Sequence, residues 1–198
     1  MSRITTKSLF ASAATLAIAM ATLSFAATAR PRPQQLDPTA AQSVFERLKK
    51  LDGSWRSKST KGWQETQQFR VLARGTAVVS QSTPGAATAT KSADSPNSPM
   101  MTVFHMDGSR LLLTHYCEAG NQPRLVATSI EDGGRTVHFS FLDATNLASP
   151  AAGHMHSVVM TFLDDNHFSE QWSWYENGKE QWMESVTNER VASASAKH

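Results

Sequence analysis

From Gly53 onward the sequence is a regular succession of short apolar or alternating runs separated by turn signals, and this feature restricts the possible folds most. The turn signals are Lys61-Gly62, Arg74-Gly75, Asp107-Gly108, Asp132-Gly133-Gly134, Asp164-Asp165-Asn166 and Glu176-Asn177-Gly178. The runs between them predict ten strands, at 54–60, 63–72, 76–82, 101–106, 109–117, 124–131, 135–142, 154–163, 167–175 and 179–188. Nearly all of these strands would be joined as consecutive hairpins. The pattern therefore favours an all-β fold, an antiparallel up-and-down barrel of about ten strands.

A short helix is predicted ahead of the first strand. Asp37-Pro38 places a capping residue and a proline in the order that is favoured at helix starts, and apolar residues recur at helical spacing from Ala41 to Leu51. Because this apolar stripe needs a sheet to cover, we expect the helix to close or flank one end of the barrel.

The first 29 residues have the pattern of a secretory signal peptide. Arg3 and Lys7 give a basic start, an apolar run follows over 9–26, and Ala27-Thr28-Ala29 matches an A-x-A cleavage site. We expect an exported protein, periplasmic or secreted, with no integral membrane segment after processing. A transmembrane anchor is the competing interpretation, and the polar residues that interrupt the run count against it.

The remaining organisation is that of one domain. The predicted segments are a signal peptide at 1–29, a flexible proline-rich leader at 30–37, the barrel domain at 38–190 and a disordered tail at 191–198. Residues 83–99 are small, polar and rich in proline, so we expect them to form a mobile loop over a barrel mouth.

The charge argues against a nucleic-acid-binding protein, and the cysteine content argues against a protein with internal disulfides. The full sequence has 19 Lys and Arg residues and 17 Asp and Glu residues. Removal of the signal peptide takes away 2 of the basic residues, so the mature chain has 17 of each. A neutral mature chain without a basic block lacks the electrostatic footprint of a nucleic-acid-binding protein. The lone Cys117 excludes an internal disulfide, and it is either a buried small side chain or a thiol that faces a cavity.

The hairpin from Met100 to Cys117 supplies the first candidate site residues. A two-residue turn at Asp107-Gly108 would pair Phe104 with Leu111 and Thr102 with Leu113. The face that contains these four residues also carries His115 and Cys117, and we assign it to the barrel interior.

The last three strands supply the others. Their turns predict the cross-strand pairs Phe162–Phe168, Met160–Glu170, Val158–Trp172, His156–Trp174, Trp172–Trp182 and Glu170–Glu184. The apolar and aromatic face formed in this way should point inward, yet it also carries His154, His156, Glu170 and Glu184. Because an unpaired buried charge is costly, these residues predict a polar interior cavity; a barrel rim or a solvent-facing register is the alternative.

Together these faces define a candidate ligand site. Its predicted residues are His115, Cys117, His154, His156, Glu170, Trp172, Trp174, Trp182 and Glu184, with Leu113, Phe139 and Phe141 as further wall. A largely apolar wall with a few convergent polar groups is typical of small-molecule sites. The predicted function is the binding of a small hydrophobic or amphipathic molecule.

Two alternatives stay open. His115, Cys117, His154 and His156 are of the residue types that bind zinc, copper or iron, and each pair shares a strand face, so they could hold a metal or haem iron if both pairs converge on one cavity. An enzyme could use the same His and Glu side chains. The sequence has no nucleophile elbow or other complete catalytic signature, which favours a binding protein.

The opening Leu51-Asp52-Gly53-Ser54-Trp55 resembles the L-x-G-x-W start of lipocalin-like (calycin) barrels. The segments T-H-Y-C at 114–117, G-N-Q-P-R at 120–124, D-A-T-N at 143–146 and G-H-M-H at 153–156 also resemble a family of secreted bacterial lipocalin-like proteins without an established activity. The resemblance extends over about residues 42–190. It implies a barrel for a small, largely apolar molecule with Trp55 closing the base, and nitrobindin-like calycins, which hold haem through a histidine, keep haem open as the ligand.

Overall fold

The computed structural model describes residues 36–85 and 98–192. A helix, α1 (Pro38–Lys49), precedes the strands. The strands are β1 (Gly53–Ser59), β2 (Gln64–Leu72), β3 (Ala77–Pro84), β4 (Met100–Asp107), β5 (Arg110–Tyr116), β6 (Gln122–Glu131), β7 (Thr136–Thr145), β8 (His154–Phe162), β9 (His167–Glu176) and β10 (Lys179–Arg190). The predicted signal peptide, most of the leader, most of the 83–99 loop and the end of the tail lie outside the described residues.

The strands form a closed antiparallel barrel in which each strand pairs with its sequence neighbours and β1 pairs with β10. The closing ladder runs from Trp55 opposite Arg190 to Ser59 opposite Val186. The predicted all-β up-and-down barrel of ten strands with one short helix before the first strand is confirmed.

Helix α1 covers one end of the barrel. Asp37 accepts a hydrogen bond from the backbone N–H of Thr39, 2.9 Å away, and Pro38 occupies the first turn, so the helix begins where the sequence predicts. Its apolar stripe is buried and consists of Ala41, Val44, Phe45 and Leu48. Among the described residues, this 12-residue helix falls short of the length and hydrophobicity that a membrane-spanning helix requires.

Aromatic side chains fill the barrel next to the helix. Trp55, Phe69 and Phe168 meet edge to face, with ring centroids 4.8 to 6.4 Å apart. The indole N–H of Trp55 donates to the carbonyl of Leu51 over 2.8 Å, and the guanidinium of Arg190 lies 4.2 Å from the centre of the Trp55 ring. These contacts tie the last strand and the end of the helical segment to the base of the barrel.

The β4–β5 hairpin has a different register from the predicted one. Asp107 pairs with Arg110, so Gly108 and Ser109 form the turn; Phe104 faces Leu113, and Thr102 faces His115. Gly108 has a φ of 59°, the left-handed conformation that glycine adopts most easily. The predicted register was wrong by two residues, and because side chains alternate with a period of two, the interior face was still assigned correctly.

The β8–β9–β10 ladder follows the prediction only close to its first turn. The pairs Phe162–Phe168, Met160–Glu170 and Val158–Trp172 are present as predicted. Beyond them a bulge sets Met155, in place of His156, opposite Trp174. In β10 a second bulge sets Glu184 opposite Trp172 and Val186 opposite Glu170, so the predicted pairs Trp172–Trp182 and Glu170–Glu184 are wrong.

Both bulges lie toward the end of the barrel away from α1, which we call the distal end. The connections β1–β2, β3–β4, β5–β6, β7–β8 and β9–β10 all lie there. The segments 114–117, 120–124, 143–146 and 153–156 also meet at this end. The distal end is therefore the end of the barrel that α1 does not cover.

Candidate functional site

A cavity of ≈50 Å³ lies inside the distal half of the barrel, and we call it the interior cavity. Its lining comes from β2, β3, β4, β5, β8, β9 and β10 and the residue just before β2. The lining residues are Trp63, Glu65, Gln67, Ser80, Ser82, Met100, Met101, Thr102, His115, Met155, Glu170, Trp172, Glu184 and Val186. In contrast to the aromatic base beside α1, this half of the barrel interior is rich in polar side chains.

Three carboxyl groups from three strands line the interior cavity. Glu65 on β2, Glu170 on β9 and Glu184 on β10 are each buried, with 5 to 7% of their surface exposed. Burial, together with the neighbouring charge of Glu170, raises the pKa of Glu65 to about 8. Burial likewise raises the pKa of Glu170 to about 7. At neutral pH the cavity therefore holds protons on carboxyl groups that would be ionised in water.

Hydrogen bonds from the strands position two of these carboxyl groups. The amide of Asn188 donates to Glu170 over 3.3 Å, and the hydroxyl of Ser57 donates to the Asn188 carbonyl oxygen over 2.5 Å. The hydroxyl of Ser59 donates to Glu184. Because β1 pairs with β10 and β10 pairs with β9, the polar network crosses the ladder that closes the barrel.

His115 is the basic side chain of the cavity. Its Nδ1 lies 2.8 Å from the hydroxyl of Thr102, its cross-strand partner, and its ring centre lies 4.9 Å from that of Trp172. Burial lowers the pKa of His115 to about 4, so the imidazole is neutral at physiological pH. It can exchange hydrogen bonds with a bound molecule but adds no positive charge to the cavity.

Several polar atoms of the cavity lining have no hydrogen-bond partner. They include Nε1 of Trp63, Oε2 of Glu65, Oε1 of Gln67 and Nε2 of His115. These four side chains are 5 to 7% exposed, so bulk water does not satisfy the atoms. Buried polar atoms in folded proteins are almost always paired, and groups that are left unpaired together in one cavity mark a place for a ligand or ordered water.

His154 and His156 do not line the interior cavity. They lie with Phe141 and Tyr175 in a separate pocket of ≈550 Å³, which we call the rim pocket. The ladder between β7 and β8 reaches Ser140 and Ser157 and does not extend further toward the distal end, so the rim pocket lies where the two strands separate. The rings of Phe141 and Tyr175 stack on that of His156, 5.3 and 4.9 Å away.

The two histidines form a directed hydrogen-bonded chain. Nδ1 of His154 lies 2.8 Å from the carbonyl oxygen of Ala152, which can only accept, so Nδ1 carries the hydrogen. In the neutral ring Nε2 of His154 is then an acceptor, and Nδ1 of His156, 3.1 Å away, donates to it. Nε2 of His156 is left as an acceptor.

The bulge in β8 explains why the prediction of one shared cavity is wrong. One extra residue reverses the alternation of the side chains that precede it, so Met155 points into the interior cavity, and His154 and His156 line the rim pocket. Cys117 lines neither pocket; it packs partly buried against the core, and burial raises the pKa of its thiol. Within residues 36–85 and 98–192, no three His, Cys, Asp or Glu side chains are arranged to hold a metal ion.

Only some of the other predicted wall residues line the interior cavity. Trp172, Glu170 and Glu184 line the interior cavity as predicted. Trp182 is 62% exposed, because the bulge in β10 turns it away from the interior. Trp174 packs against the core beside Gly153. Of the additional wall residues, Leu113 and Phe139 belong to the apolar core, and Phe141 lines the rim pocket.

Sequence analysis missed the contribution of β2. It predicted a strand at 63–72 but assigned no face to it, and so Trp63, Glu65 and Gln67 were not recognised. The signal that could have found them is the two-residue spacing of Glu65, Gln67 and the apolar Phe69. In a strand this spacing places all three side chains on one face, and Phe69 marks that face as the interior one.

Comparison with known proteins adds the fold alone. No family model matches the chain, and no curated protein matches it. The crystal structure of a protein of unknown function from the DUF3598 family of Nostoc punctiforme PCC 73102 is similar at a TM-score of 0.44 and 14% identity; the match covers 73% of this chain and about half, 49%, of that one. The crystal structure of Rv2717c from M. tuberculosis is similar at a TM-score of 0.50 and 14% identity, over 75% of this chain and 98% of that chain, a likeness in fold.

Proposed function

We propose that this protein is an exported carrier or sensor of a small amphipathic molecule, whose polar end is bound in the interior cavity and whose apolar end extends toward the distal end of the barrel. The observation that carries the proposal is the set of buried, unpartnered atoms on Trp63, Glu65, Gln67 and His115 that line one cavity. The export part of the proposal is supported by the signal-peptide pattern of residues 1–29.

The unpaired atoms make the empty cavity energetically costly. Leaving one buried polar group without a hydrogen bond costs about 1–3 kcal/mol. Four such groups around one cavity lower the stability of the empty barrel, and a molecule that pairs with them recovers this energy on binding. Pre-positioned polar groups of this kind are typical of small-molecule sites, in which a few polar contacts fix the orientation of the ligand.

The amphipathic character follows from the size and walls of the cavity. A volume of ≈50 Å³ accommodates a polar head group and not a whole drug-sized molecule. Two methionines, Met100 and Met155, lie at the distal side of this cavity, near the starts of β4 and β8. Methionine side chains are flexible and polarizable, so they can move aside and pack around an apolar tail.

A cavity-filling variant tests this function. Ser80 on β3 lines the cavity and is 3% exposed, and Gln81 is exposed on the opposite face of the same strand. We expect Ser80→Leu to abolish binding of the neutral amphipathic probe N-phenyl-1-naphthylamine, measured by its fluorescence, because leucine occupies the space of the head group. Gln81→Leu is the matched control and should bind the probe as the unmodified protein does.

Circular dichroism and urea unfolding of both variants verify that they are folded. If folded Ser80→Leu protein still binds the probe with unchanged affinity, the interior cavity is not the binding site, and the proposal is wrong.

A further inference from the structure

We propose that the polar group received by the interior cavity is a cation, namely the protonated amine of a small organic molecule. This inference rests on the proposed function and specifies its ligand class. It is supported by the charge, the unpaired atoms and the aromatic side chains of the cavity.

Among the side chains that line the cavity, acidic groups outnumber basic ones. The titratable side chains that line it are Glu65, Glu170, Glu184 and His115, and no lysine or arginine of the described chain is among the lining residues. His115 is neutral at physiological pH because burial lowers its pKa to about 4. A buried carboxylate requires a positive partner or a proton, and nothing in this lining supplies the positive charge.

Two of the unpaired atoms match the hydrogen-bonding capacity of an ammonium group. Oε2 of Glu65 and Oε1 of Gln67 are buried acceptors without a donor. An ammonium group has three donors and no acceptor, so it can pair with both of these atoms and with a further carboxylate. Hydrogen bonds between charged partners are about twice as strong as those between neutral groups.

The remaining walls also suit a cation. Trp172 lines the cavity, and an indole ring attracts a cation over its face more strongly than other aromatic rings do. The cavity of ≈50 Å³ has room for an ammonium group and the first carbons attached to it. The apolar remainder of the molecule then contacts the flexible side chains of Met100 and Met155.

Binding of an amine must therefore be coupled to proton release. Burial raises the pKa of Glu65 to about 8 and that of Glu170 to about 7, so both carry protons over part of the neutral range. A bound ammonium group stabilises the ionised form of both carboxyl groups and lowers their pKa, so their protons are released into solvent. Affinity should thus rise with pH up to about 8 and stay high until the amine itself loses its proton near pH 10.

The test compares three probes of equal chain length: n-hexylammonium, n-hexanol and n-hexanoate. Binding to the purified protein is measured by tryptophan fluorescence and by isothermal titration calorimetry. We expect hexylammonium to bind about tenfold more tightly than hexanol at pH 8, to lose at least about tenfold in affinity between pH 8 and pH 6, and to release protons on binding. Hexanol should show no such pH dependence, and hexanoate should bind most weakly.

Two variants assign the effect to the cavity. Glu170→Gln and Glu65→Gln should each lower hexylammonium affinity by about tenfold or more, reduce the number of protons released, and so reduce the preference for hexylammonium over hexanol. Glu176→Gln, which removes an exposed carboxylate at the β9–β10 turn, is the matched control and should behave as the unmodified protein. If one of the two cavity variants does not fold, the other variant and the pH dependence of the unmodified protein still decide the question.

The outcomes separate this inference from the proposed function. Tighter binding of hexanol or hexanoate than of hexylammonium, or binding of hexylammonium without proton release, overturns the assignment of a cation and leaves a small-molecule site in place. Failure of all three probes and of the neutral fluorescent probe to bind contradicts both proposals.

Discussion

The substitution Glu65→Gln removes a titratable group from the interior cavity and preserves the size of the side chain. Burial raises the pKa of Glu65 to about 8, compared with 4.5 for an unburied glutamate. Between these two values the folded protein retains a proton that the unfolded chain has released, so the free energy of unfolding of the unmodified protein must fall as the pH rises through this window. A pKa difference of this size corresponds to a loss of about 4 kcal/mol between about pH 5 and pH 8.5.

The glutamine variant has no proton to lose and avoids this loss. At pH 5 we expect the free energy of unfolding of the variant to lie within about 1 kcal/mol of that of the unmodified protein. Between pH 5 and pH 8.5 this difference should shift in favour of the variant by up to about 4 kcal/mol. Urea unfolding followed by tryptophan fluorescence at the two pH values measures both quantities. The exposed Glu176→Gln variant should show no pH-dependent difference. A stability difference between Glu65→Gln and the unmodified protein that stays constant with pH would refute the assignment of a buried, protonated carboxyl group.

Three further predictions concern the framework of the barrel. His115→Gln should gain stability relative to the unmodified protein as the pH falls from about 6.5 to 4, because the buried imidazole resists the proton that the unfolded chain accepts in this range; acid unfolding curves measure the gain. Trp55→Phe should cost about 1–3 kcal/mol, since it leaves a buried carbonyl without its donor, whereas Trp182→Phe at the exposed position should change urea stability by less than about 0.5 kcal/mol. Gly153→Ala should lower thermal stability by about 1–3 kcal/mol, because a Cβ atom would lie 2.4 Å from the Trp174 ring, and an unchanged melting temperature would contradict this packing.

The architecture of the barrel was predictable because its determinants are local. Turn signals and apolar alternation located all ten strands, and Asp37-Pro38 located the start of the helix. Even the wrong register of the β4–β5 hairpin left His115 and Thr102 on the interior face, since a shift of two residues preserves side-chain orientation.

The candidate site was only partly predictable because it depends on β-bulges. Nothing in the sequence around Met155 or Trp182 specifies an extra residue in the ladder, and a bulge reverses every side chain on one side of it. This is why Glu170, Trp172 and Glu184, which lie on the α1 side of the bulges or at them, were placed correctly in the interior. The histidines and the exposed tryptophan beyond the bulges were not.

The central claim is that a small molecule binds inside the barrel, and intermolecular nuclear Overhauser effects between n-hexylammonium and the protein test it most directly. The account predicts contacts from the probe to the indole protons of Trp63 and Trp172 and to the methyl group of Met155, all of which line the interior cavity. Contacts confined to the rings of Phe141 and Tyr175 would place the probe in the rim pocket and contradict the account.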